Sequence, residues 1–107
     1  MDPRLWELLR LPPGALYIQN VRLCHEGSTV IVDCTAITDE NPRGQNFQIN
    51  FKNCRNVQWE AMDPYNTEAN VQAFGVFLGE QSHNKPAIIY TGMTEMSVLY
   101  DSVNVSW

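Results

Sequence analysis

From Ala15 onward this sequence alternates. Phe47, Ile49 and Phe51 are separated by Gln48, Asn50 and Lys52. Successive side chains on a strand point to opposite faces, so this pattern reads as a strand with one face on a core and the other in water. The same period runs through Val30, Val32, Cys34 and Ala36, and again through Met96, Val98 and Tyr100. Leu16 and Ile18 share one phase, and Val21 and Leu23 the other. The switch at Asn20 predicts a β-bulge. The turn residues His25-Glu26-Gly27-Ser28 join the first two strands into a hairpin that pairs Cys24 with about Thr29.

The rest of the chain is punctuated in the same way. Thr38 to Asn46 is a polar loop with Pro42 and Gly44. After Asn53-Cys54-Arg55-Asn56, the residues Val57, Trp59 and Ala61 resume the phase of the preceding strand. Asp63-Pro64-Tyr65-Asn66 is a second loop. Phe74, Val76 and Leu78 alternate around Gly75, so Val71 to Leu78 reads as a strand, not a helix. Gly79 to Pro86 is a turn region, Ala87 to Thr91 a short apolar strand, and Gly92 to Glu95 another turn. Val103, Val105 and Trp107 close the pattern.

Only residues 3–11 have helical spacing. Asp2 suits an N-cap and Pro3 the first helical position. Leu5, Leu8 and Leu9 form an apolar stripe beside Trp6, and Pro12-Pro13-Gly14 stops the element. A helix this short needs a surface to dock on. It is expected as a lid on its own core, with a contact for another protein as the alternative. Seven or eight strands without a helix-sized crossover predict an all-β fold, an antiparallel β-sandwich or small barrel with one short N-terminal helix. The 107 residues are read as a single β domain spanning 1–107, its strands running from about residue 15 to the end. A chain of this size buries roughly 65% of its unfolded surface, enough for one core without metals or disulfides.

Charge and motif content narrow the function. The net charge is −5, and the seven basic residues are scattered from Arg4 to Lys85. A phosphate-backbone binder needs a basic stripe, so no nucleic-acid partner is expected. No secretory signal or apolar run of membrane-spanning length is visible, and a cytoplasmic protein without membrane contact is the expectation. Cys24, Cys34 and Cys54 are odd in number and widely spaced, and are read as reduced thiols. His25 and His83 fall in turns. No nucleophile elbow, Cys-x-x-Cys, His-x-x-x-His or glycine-rich phosphate loop occurs. No catalytic residue, metal or cofactor is therefore assigned, and the chain is read as a non-enzyme.

Two segments echo each other. Phe51-Lys52-Asn53-Cys54-Arg55-Asn56-Val57-Gln58-Trp59 matches Leu99-Tyr100-Asp101-Ser102-Val103-Asn104-Val105-Ser106-Trp107 in its apolar, Asn or Asp, Cys or Ser, Asn, Val and Trp positions. A duplicated half-sheet and chance recurrence both fit. Trp59 and Trp107 are expected in the core, with a paired aromatic platform as the alternative.

Three functional readings remain. The first is a protein-binding module for a basic partner, contacting it through loop residues Asp39, Glu40, Arg43, Asp63 and Tyr65. The second is a small-ligand domain or minor enzyme with an inter-sheet pocket lined by Trp59, Tyr90 and Trp107. The third is edge pairing of the C-terminal strand, giving a monomer or weak dimer. The order VRL…STVIVDC, then FQINFKNCRNVQW, then YTG…SVLYDSVNVSW loosely resembles, over most of the chain, small all-β bacterial immunity proteins that neutralise polymorphic or contact-dependent toxins. The loop Asp39 to Asn46 lacks the Trp of that pattern. The resemblance implies a non-catalytic inhibitor that plugs a toxin, and it carries over no site residues.

Overall fold

The alternation resolves into eight strands and one helix in a computed structural model, which describes residues 3–61, 74–91 and 94–107. The helix α1 spans Pro3–Leu9. The strands are β1 (Ala15–Cys24), β2 (Thr29–Ile37), β3 (Gln45–Lys52), β4 (Arg55–Ala61), β5 (Phe74–Phe77), β6 (Ala87–Thr91), β7 (Thr94–Leu99) and β8 (Ser102–Ser106). They form two four-stranded sheets, β1-β2-β3-β8 (sheet A) and β4-β7-β6-β5 (sheet B). Every pairing among the described residues is antiparallel. The fold is therefore an all-β sandwich, the first of the two architectures that the alternation predicts.

The inward residues of both sheets form one buried cluster. Sheet A contributes Val30, Val32, Cys34, Ala36, Phe47, Ile49 and Phe51. Sheet B contributes Val76, Ile89, Met96 and Val98. At roughly 1.5–3 kcal/mol for each large apolar side chain removed from water, this cluster is the main stabilising contribution. Tyr100 closes one side of it. Its ring meets Phe51 edge-on at 4.9 Å, and its hydroxyl donates to the Leu78 carbonyl at 2.8 Å, so the buried phenol is satisfied.

The predicted bulge is present. Ile18 pairs with Cys34 and Asn20 with Asp33, which leaves Gln19 as the extra residue. It brings Val21 and Leu23 back to the inner face opposite Val32 and Val30. The hairpin turn at His25–Gly27 has positive φ at all three residues and pairs Cys24 with Thr29, as the turn chemistry implies.

Helix α1 buries Leu5, Trp6 and Leu9 in the main cluster, as a lid would. It ends at Leu9, two residues before the predicted limit. Arg10 takes φ 58, its N–H reaches the Glu7 carbonyl at 3.1 Å, and the Leu11 N–H reaches Trp6 at 3.3 Å. This is a Schellman ending with arginine where glycine is usual. Pro12 drives Leu11 out of helical geometry, so the chain must turn before it.

Two bends carry the chain between the sheets. The first joins β3 to β4 through Asn53 and Cys54. The second joins β7 to β8 through Tyr100 and Asp101. β3 pairs with β8 on one side of the bends and β4 with β7 on the other, the arrangement of strands that switch sheets at a corner. Val57 and Trp59 thus belong to the second sheet and do not extend the face of β3. The echoed segments are these two bends. The shift that carries Phe51 onto Leu99 carries Arg55 onto Val103, so the pairs Phe51–Val103 and Arg55–Leu99 exchange. The bends are related by a local two-fold. A register shift between Arg55 and Gln58, with Asn56 at φ 52, breaks the match further along β4.

Candidate functional site

Antiparallel sheets with one face on the core leave the other for water or a partner. On sheet B, the register places Gln58, Ser97, Ile88 and Phe77 in one outward row across the four strands. Glu60, Glu95, Tyr90 and Gly75 form the next. Half of this face is apolar. Phe77 and Tyr90 meet edge-on at 5.9 Å, with Ile88 beside Phe77 on the neighbouring strand.

The other half is acidic. Glu60 and Glu95 stand directly opposite on adjacent strands. Like charges so placed destabilise a sheet. Neither forms an ion pair among the described residues, in contrast to Asp33, paired with Arg22 at 3.0 Å, and Asp101, paired with Arg55 at 2.5 Å. Partial burial, then the Glu95 charge and hydrogen bonding to its carboxylate, push the Tyr90 phenol above its ordinary value. A concavity of about 370 Å³ lies here, lined by Gln58, Trp59, Glu60, Glu95 and Ser97. The face offers aromatic surface beside two unneutralised carboxylates, which suits a lysine or arginine side chain with its apolar stem.

The outer face of sheet A is different. Asn20, Asp33, Gln48 and Ser106 align in one row, and Arg22, Ile31, Asn50 and Asn104 in the next. Arg22 holds both oxygens of Asp33, and Gln48 also donates to Asp33 at 2.9 Å. Asn50 donates to Asn104 and Ser106 at 2.9 and 3.0 Å. This face is polar but nearly neutral.

The loop residues are separate from both faces. Thr38 and Asn41 bond reciprocally through their backbones, which puts Asp39 and Glu40 at the exposed tip of a turn, with Arg43 exposed nearby. Asp63 and Tyr65 lie outside the described residues.

The rings assigned to an inter-sheet pocket do not come together. Tyr90 is on the outer face of sheet B. Trp59 is in the inner row at the sheet's edge, against a concavity it shares with the β1 bulge. Trp107 follows β8 and packs on Phe47 at 5.3 Å. The core placement of the two tryptophans is also corrected, since Trp59 is 46% exposed and Trp107 59%. Both belong to edge strands, which bury only one side of a ring. His25 and His83 are exposed, as their turns implied.

Sequence reasoning missed the sheet B face. Its trace is Ile88-Ile89-Tyr90, an apolar run where a half-buried strand should alternate. The sequence pattern puts Glu95 in a turn, yet β7 already begins at Thr94. Among the described residues no three His, Cys, Asp or Glu side chains gather as a metal site, and no helix is long and apolar enough to cross a membrane. No protein-family model matches this chain, and no curated protein or solved structure matches it either.

Proposed function

We propose that this chain is a non-catalytic protein-binding module that takes a basic partner on the outer face of sheet B, in the manner of an immunity-type inhibitor. The observation that carries the reading is the pairing of Glu60 with Glu95 beside Phe77, Ile88 and Tyr90. Two carboxylates opposite one another cost the free protein stability, and a bound lysine or arginine reverses that cost. The aromatic patch supplies the desolvated centre that such contacts need. The chain's net charge of −5 adds long-range attraction for the same class of partner. The segment 62–73 carries Asp63 and Glu68 but no Lys or Arg, so it brings no cation of its own to this face.

The test compares two charge reversals in capture from the source lysate, read by native mass spectrometry. Wild-type protein and the loop variant Asp39→Lys/Glu40→Lys are expected to hold a stoichiometric basic protein that Glu60→Lys/Glu95→Lys loses. Capture that survives the face reversal but fails with the loop reversal moves the site to the β2–β3 loop. Failure to hold any basic protein removes the reading.

A further inference from the structure

We infer that the outer face of sheet A is a binding site for a neutral polyhydroxyl ligand of the carbohydrate class, seated in the concavity between the β1 bulge and Trp107. The concavity has a volume of about 430 Å³ and crosses all four strands. The polar residues Gln19, Asn20, Asp33, Asn46, Gln48 and Ser106 line it together with Trp107 and the buried Cys34 and Phe47. That volume falls within the usual range for small-molecule sites.

The lining is unusual for a water-facing sheet. Asn is disfavoured in strands, yet Asn20 and Asn46 both stand on strands at this concavity. Each long amide is pinned at one end and open at the other. Gln19 donates to the Thr35 hydroxyl at 2.6 Å, and that hydroxyl donates to the Asn46 carbonyl oxygen at 2.7 Å. This leaves the Gln19 carbonyl oxygen and the Asn46 amide nitrogen unused by these bonds. Gln48 donates to Asp33, which is itself clamped by Arg22, and keeps its carbonyl oxygen open. Asn20 makes no side-chain hydrogen bond among the described residues. Two relays therefore hold a fixed mixture of donors and acceptors toward one space.

The chemistry selects the ligand class. A sugar hydroxyl both donates and accepts, and an amide-lined surface answers both needs. Trp107 follows β8 in the inward phase of Val103 and Val105 and packs on Phe47 at 5.3 Å. The part of its indole left exposed meets the end of the concavity and offers an apolar edge to the C–H face of a sugar ring. Anions are disfavoured because Arg22, in the neighbouring row, is already committed to Asp33, and Lys52, the outward lysine of β3, does not line the concavity. Cations are disfavoured because both Asp33 oxygens are already bonded. Fixing the amides in advance lowers the entropy lost on binding. The site is on the opposite side of the sandwich from the Glu60–Glu95 face, so the two readings stand or fall separately.

The test is a titration of isotopically labelled protein with cellobiose, maltose, lactose and chitobiose, following side-chain amide and indole signals by NMR. At least one disaccharide is expected to shift the Gln19, Asn46, Gln48 and Trp107 signals saturably, with a dissociation constant of about 1 mM. Trp107→Ala and Gln48→Ala should weaken it at least about tenfold, a difference of about 1.4 kcal/mol. Asn20→Ala, which removes no internal bond, should weaken it with an unchanged melting temperature. Glu60→Lys should bind as wild type does. If none of the four sugars gives a saturable shift at these signals, or if the shifts persist in all three site variants, the assignment is overturned.

Discussion

Cys34 lies between Val32 and Ala36 on β2 with 1% of its surface exposed. Burial, helped by the neighbouring Asp33 charge, pushes its thiol from 9.0 up to about 12. The folded protein thus keeps this proton over a range where the unfolded chain loses it. Its contribution is fully present below about pH 9 and is lost progressively as pH rises toward about 12, with a slope on the order of 1.4 kcal/mol per pH unit. Urea unfolding of wild type and Cys34→Ala from about pH 8 to about pH 11 checks this. The variant should be about 1 kcal/mol less stable at the lower end and should fall off less steeply. Gly79 is constrained by backbone, not by ionisation. It holds φ +69, and a Cβ there would run into the carbonyl oxygens of Lys85 and Pro86. Gly79→Ala should cost about 2–3 kcal/mol in the same assay, because neither the torsion nor the backbone neighbours can yield cheaply.

Local chemistry also decides where elements begin and end, which is why some boundaries were legible in the sequence and others were not. The β1 bulge was readable because the apolar phase changes inside one strand, between Ile18 and Val21. The hairpin register was readable because Glu26-Gly27 demands a tight turn. The end of α1 was not, because arginine in a left-handed position leaves no mark in the pattern. That position gives a direct prediction. Arg10 at φ 58 carries the steric cost of a Cβ that glycine lacks. Arg10→Gly should therefore raise stability by about 0.5–1 kcal/mol, less than the full torsional cost because glycine also loosens the unfolded chain. A midpoint in urea that stays or falls would refute the Schellman account of this helix end. Trp59 and Trp107 were misplaced for another reason. Alternation reports which face a residue occupies, but not whether its strand is central or at an edge.

Strand order is a property of the whole molecule, and the candidate faces depend on it. Glu60 and Glu95 are far apart in the chain and meet only because β4 pairs with β7. The apolar run Ile88-Ile89-Tyr90 signalled a strand with two non-aqueous faces, yet nothing local could say that carboxylates would flank it. The pairing sets stability and partner affinity in opposition, and a single substitution separates them. Glu60→Lys replaces a repelling pair with an attracting one across the strands, so the free protein should gain about 0.2–1 kcal/mol. The same change puts a cation where the basic partner's own cation is proposed to sit, so the complex should weaken. Its association rate should fall, and the remaining rate should depend less on salt, because the acidic face steers the encounter. Thermal unfolding of the isolated protein and association kinetics at two ionic strengths measure the two effects. A variant both more stable and slower to bind fits a face kept acidic for a partner. A variant more stable with unchanged association would leave Glu60 and Glu95 as a surface repulsion with no part in recognition.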